Sequence, residues 1–291
     1  MKRLIFALFL LGATGIGFAG DPEPIRTGEA VSPDGVTIHC AMLGEDQPTL
    51  VFVHGWCADG MYFRRQVEHF APDHRSVAVD LAGHGASHRN RDTYTMEAFG
   101  ADVVAVIEEF NLRKVILVGH SMGGAVVVEA ALAAPDRVIG VIGVDNFQDV
   151  NMKLTDEQID GFLADFRKEF RRNTYRYIKT MFPADADTAL VEEIATDIAL
   201  APSLVGISAM EELLKWYGGV APGRVAALDV PLVTINSDAV AVDEEALRAL
   251  VPDYRVWMMS GVGHYPMLED PEQFNATLAE AVAYLTEQTG K

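Results

Sequence analysis

Ser121 lies in the run KVILVGHSMGGAVVVEAAL, where an apolar strand pattern reaches Gly119, His120, Ser121, Met122 and Gly123 and passes directly into a helical pattern. A serine on so tight a strand-to-helix turn is held in strained backbone geometry. Small flanking residues permit that strain, and it projects the hydroxyl from the sheet edge. The helix N-terminus behind it favours developing negative charge. Such a hydroxyl becomes a nucleophile only with a base beside it and backbone donors for the oxyanion. The base is expected late in the chain, and of the eight histidines only His264, in GVGHYPMLEDPEQFN, lies beyond the last strand-like run. The donors are expected from the residue after the nucleophile, Met122, and from an early strand-to-helix loop, VFVHGWCADG, at Trp56.

A carboxylate must then fix the imidazole tautomer and stabilise the imidazolium. Two aspartates end apolar runs at suitable places: Asp145 closes VIGVIGVD, and Asp238 follows PLVTINS. Either could serve His264, with Asp145 preferred. Asp149 and Asp243 lie further from the strand ends and read as solvated loop or helix-start charges. His84 and His88 stand four apart, but Gly85 between them and the basic Arg89 and Arg91 beyond argue against a helical metal pair, so no metal site is expected.

These residues need a scaffold, and the chain alternates short apolar runs with helical ones. GVTIHCAML, TLVFVHG, RSVAVDL, KVILVGH, VIGVIGVD, PLVTINS and YRVWMMSG read as strands, with helices over Met96 to Phe110 and Gly123 to Ala134. That rhythm indicates an α/β fold with a mostly parallel sheet covered on both faces. Between Asp145 and Pro231 no strand is evident. Thr155 to Gln158 and Ser208 to Glu211 both have the capping-box pattern, and Gly218 with Gly219 reads as a helix stop. This stretch is expected to be an all-helical lid over the carboxyl edge of the sheet.

Taken together, HGW, DLAGHGAS (Asp80 to Ser87), GHSMGG and GVGHYPMLEDPEQF resemble the motifs of the α/β-hydrolase superfamily, in that family's order and across nearly the whole chain after its first segment. The resemblance implies an eight-stranded, mostly parallel sheet, a helical cap after strand six, and a Ser-His-acid triad without a cofactor. It divides the chain into a core over 20–146 and 226–291 and a cap over 147–225. A serine nucleophile separates it from the branches that attack with aspartate. One departure concerns the acid. The family pattern after strand seven puts an aspartate three residues past a glycine; matching Ser237 to that glycine places Val240 at the acid position.

The first stretch, MKRLIFALFLLGATGIGFAGD, has Lys2 and Arg3, an apolar run to Leu11, and Gly17 and Ala19 at cleavage-compatible positions. It reads as a signal peptide over 1–19, too short in its apolar run for a membrane anchor, and so implies a secreted or periplasmic protein. Cys40 and Cys57 are the only cysteines and could pair after export. The formal net charge of −19 repels polyanions and argues against nucleic-acid partners. The combined expectation is a serine hydrolase, most simply a carboxylesterase acting on a small to medium apolar ester. A lactone or C–C bond hydrolase with the same triad, and a ligand receptor that retains a hydrolase pocket, are the alternatives.

Overall fold

A computed structural model describes residues 24–289; the segment 1–19, read above as a signal peptide, lies outside the described residues. Within them an eight-stranded sheet runs in the order β1-β2-β4-β3-β5-β6-β7-β8. Its strands are β1 Arg26–Val31, β2 Thr37–Leu43, β3 Thr49–Val53, β4 Ser76–Val79, β5 Val115–His120, β6 Val138–Val144, β7 Leu232–Ser237 and β8 Arg255–Met259. β1 and β2 are antiparallel to their neighbours, and all pairs from β4 onward are parallel. The continuous Val, Ile and Leu runs of β3, β5 and β7 are buried along their whole length, as strands covered on both faces must be.

The covering helices are α1 Arg64–Phe70, α2 Met96–Glu109, α3 Met122–Ala133 and, at the other end of the chain, α9 Glu244–Leu250, α10 Pro266–Glu269 and α11 Pro271–Thr289; between them come α4 Asp156–Lys168, α5 Phe170–Lys179, α6 Thr188–Ile198, α7 Ser203–Lys215 and α8 Ala221–Ala226. α2 packs on α3, and α1 on α11. α3 is buried without a break from Met122 to Ala131 and is apolar there except for Glu129, which suits a helix enclosed by sheet, α2 and α8.

All regular structure between β6 and β7 is helical. The Thr155 capping box forms as its sequence requires, each partner bonding the other's backbone. The second pattern is different. Ser208 lies inside α7, and its hydroxyl accepts from the backbone N–H of Tyr94 at 3.1 Å instead of capping its own helix. Gly218 and Gly219 do not stop the chain either: Trp216–Val220 forms a π-turn that runs straight into α8. Cys40 and Cys57 remain separate, buried thiols. Among the described residues no helix is long and apolar enough to cross a membrane.

Candidate active site

Because β3, β5, β6, β7 and β8 run parallel, their carboxyl ends bring Trp56, Ser121, Asp145 and the loop of His264 to one edge of the sheet. Ser121 sits between β5 and α3 at φ 51°, ψ −116°, a left-handed conformation that a non-glycine residue adopts only under constraint. The constraint is visible. Its N–H donates to the Val144 carbonyl at 2.9 Å, and its carbonyl accepts from Gly124 at 2.9 Å. Gly119 and Gly123 leave no room for a Cβ, since one at Gly119 would strike the Gly123 backbone and one at Gly123 the backbone of Val53 and His54. Sequence reading did not single out Asn146, which fills the space left by Gly124 and Gly143 and donates to the Gly119 carbonyl at 2.8 Å.

His264 presents Nδ1 to Asp145 Oδ2 at 2.6 Å. With that nitrogen committed as donor to the carboxylate, the neutral ring keeps Nε2 as its acceptor, and His264 and Ser121 line the same cavity. The other oxygen, Asp145 Oδ1, accepts from both the backbone N–H and the hydroxyl of Ser237, each at 2.8 Å. Burial pushes the Asp145 pKa up, but the hydrogen bond and charge of His264 and the Ser237 donors outweigh it, so the carboxyl titrates below its ordinary value. Asp238 is placed differently. It is exposed, and its backbone N–H pairs with Met259 while its side chain meets neither His264 nor the cavity. Of the two aspartates, the structure brings Asp145 to His264.

The loop of His264 is clamped from two sides. Its N–H donates to the Met181 carbonyl at 3.0 Å, just past α5, and its carbonyl accepts from His120 Nε2 at 2.7 Å. Burial first, then the nearby His264, pushes the His120 pKa down to about 3, which keeps that imidazole neutral with Nδ1 as its unprotonated nitrogen. On the opposite side, Trp56 follows Gly55 beyond β3. Its indole N–H donates to the Gly206 carbonyl of α7 at 2.7 Å, and its ring meets Phe166 and Phe170 edge-on. Met122 opens α3, so its N–H precedes the intrahelical ladder. The Trp56 N–H takes no part in the turn that joins Ala58 to Gly55. Among the described residues, no group of three or more His, Cys, Asp or Glu is disposed to hold a metal.

The fold and this arrangement define an α/β protein with a serine elbow and a histidine–carboxylate pair beneath a helical cap. The chain belongs to the alpha/beta hydrolase family, whose model matches residues 50–277. It is 26% identical to the pimeloyl-[acyl-carrier protein] methyl ester esterase of Yersinia enterocolitica, over 81% of this chain and 94% of that one. It is 24% identical to the Karrikin insensitive 2 receptor CA of Petunia hybrida, over 79% of this chain and 90% of the relative. Its fold matches that of a thermophilic esterase from Thermogutta terrifontis with a TM-score of 0.77 at 21% identity, covering 89% of this chain and 99% of that one.

Proposed function

We propose that this hydrolase is a serine carboxylesterase. The observation that carries the reading is the 2.6 Å bond between His264 Nδ1 and Asp145, set beside the strained Ser121 on a shared cavity. Ser121 Oγ attacks the ester carbonyl, and its proton passes to His264 Nε2. The new oxyanion is held by the backbone N–H groups of Trp56 and Met122. Collapse breaks the carbon–oxygen bond to the alcohol, which leaves with the proton from His264. Water, deprotonated by the same nitrogen, then attacks the acyl carbon, and His264 gives that proton to Ser121 Oγ as the bond to the acid breaks. Asp145 keeps the imidazole in the tautomer that accepts on Nε2.

Two similarities support this reading: a relative named as a methyl ester esterase and a structural neighbour described as an esterase. The same groups serve lactones, so the test includes γ-nonalactone beside the ester, and the faster kcat/KM of the two decides between ester and lactone. Hydrolysis of p-nitrophenyl butyrate and labelling by a fluorophosphonate, read by intact mass, should give turnover and a single adduct in the wild type and neither in Ser121→Ala. Absence of both in the wild type overturns the proposal; stabilisation by a ligand without turnover would replace it with the receptor reading. As part of the same proposal, the protein acts outside the cytoplasm, on the strength of its N-terminal pattern. A mature N-terminus at Gly20 in exported material is the expected finding.

A further inference from the structure

The space above Ser121 is divided. One compartment of about 610 Å³ is bordered by Gln148, Asp149, Met152, Tyr217 and Val240. The other, about 200 Å³ and more enclosed, lies under Trp56, Phe162, Met210, Leu214 and Tyr265. Ser121, His264, Tyr177, Met181 and Leu213 belong to both, so each compartment opens on the reacting hydroxyl and the base.

We infer that the enclosed compartment takes the acyl half of the substrate, an uncharged group about the size of a benzene ring or a hexanoyl chain, while the wider one takes a neutral or cationic alcohol. The inference rests on the serine-esterase reading and names the substrate class of that site. Its size limit comes from volume: a dry apolar cavity of about 150 Å³ accepts one benzene, so about 200 Å³ admits a ring with a short spacer and little more. The shape is firmly set. Tyr177 packs edge-on against Trp56, Phe162 and Phe166, and Trp56 is tied through its indole to Gly206.

Which half goes where follows from the order of events. The alcohol leaves first, while the acyl group is still bonded to Ser121, and water must then reach the acyl carbon beside His264. An alcohol in the wider compartment can depart and leave a path for that water. One trapped in the enclosed compartment, behind an acyl group filling the wider one, would have neither exit nor replacement. Charge sets the remaining preference. Neither compartment is lined by a lysine or arginine, whereas Asp145 and Asp149 border the wider one and the whole chain carries a formal charge of −19. A carboxylate or phosphate on the alcohol would be desolvated without a partner.

The experiment uses p-nitrophenyl esters from acetate to decanoate, with benzoate and phenylacetate, on wild type, Met210→Ala and Leu214→Ala. In the wild type kcat/KM should climb to hexanoate or phenylacetate and fall by about tenfold or more at decanoate, as expected when added methylenes find no room. Either substitution should shift the optimum to longer chains; Leu214 is only half-buried, so at least that variant should fold. With phenylacetate as the fixed acid, ethyl, benzyl and choline esters should be hydrolysed at similar rates and the glycolate ester at least about tenfold more slowly. A decanoate rate equal to hexanoate, an optimum unmoved in both variants, or a size limit that follows the alcohol overturns the inference. Binding to Ser121→Ala protein, read by tryptophan fluorescence, keeps the two readings apart. Saturable binding of methyl phenylacetate but not methyl decanoate upholds the compartment even if no ester is turned over, and equal binding of both removes it whatever the activity.

Discussion

Ser237 stands where the family pattern would have glycine, and it gives both its N–H and its hydroxyl to Asp145 Oδ1. The residue that breaks the motif thus helps hold the carboxylate proposed as the acid, the one that meets His264. Asp145→Asn should leave the fold intact and favour the wrong imidazole tautomer, lowering kcat/KM roughly 1,000- to 10,000-fold. Asp238→Asn should stay within about twofold of wild type, because its side chain is exposed and meets nothing at the site. Ester hydrolysis by the two variants in parallel checks both; comparable losses would exclude Asp145 as the sole orienting acid. Strand-end position made both aspartates visible in the sequence and gave no more than a preference for Asp145. The choice depends on backbone direction: Asp145 has φ 47°, which turns it off the end of β6 toward His264, whereas Asp238 continues the ladder with β8. No pattern of residue types encodes that left-handed turn at an aspartate. Asn146 was equally hidden, since its role is visible only once Gly124 and Gly143 are seen to make room for it.

At the scale of elements, seven strand-like runs were legible because they are continuous or alternating apolar segments. β1 was not among them. RTGEAV is mostly exposed, and its pairing with β2 supplies what its composition does not. The helical cap was legible as a gap in the strand rhythm, but its details were not, because Ser208 caps a neighbouring loop and the paired glycines sit in a π-turn, which an i,i+4 pattern does not announce. That turn is fastened to the core. Glu129, buried on α3, accepts from the Trp216 indole at 2.7 Å and from Arg224 Nε at 2.8 Å. Glu129→Ala would leave both donors without their acceptor. A loss of about 3 kcal/mol is expected in urea unfolding, at the low end for a buried pair because Arg224 is 40% exposed. Trp56→Phe tests the other fastening. It keeps an aromatic ring in the pocket but drops the bond from the loop after β3 to Gly206; if that loop supplies an oxyanion donor as proposed, kcat should fall about tenfold with KM for butyrate nearly unchanged. A change confined to KM would assign the indole to substrate packing alone.

At the scale of the whole molecule, the buried histidines make the fold sensitive to mild acid. Burial pushes the His54 pKa down to about 4 and the His84 pKa to about 3, in His84 with the added influence of His54, whose ring centroid is 5.0 Å away. Both nitrogens of His54 are used in the neutral form: Nδ1 donates to Gly55, and Nε2 accepts from the Leu81 N–H at 3.1 Å, joining the loop after β3 to the segment after β4. His120 is likewise lowered, to about 3. In the unfolded chain these groups protonate near pH 6.5. Below that pH the unfolded state therefore binds protons that the native state does not, and the stability these histidines contribute falls as pH drops from about 6.5 toward 4. The overall charge works the other way, since acidification relieves the self-repulsion of a chain with formal charge −19. A decline in Tm between pH 6.5 and 5, above the range where most carboxylates titrate, thus isolates the histidines. His84→Asn can keep the bond that His84 Nδ1 makes to the Ala82 carbonyl at 3.0 Å while removing the titrating group. It should start lower at pH 7.5, because a ring's volume is lost, yet decline less steeply than wild type through the same window. Parallel slopes in the two proteins would show that the acid sensitivity arises elsewhere than at the histidine pair behind the active-site loop.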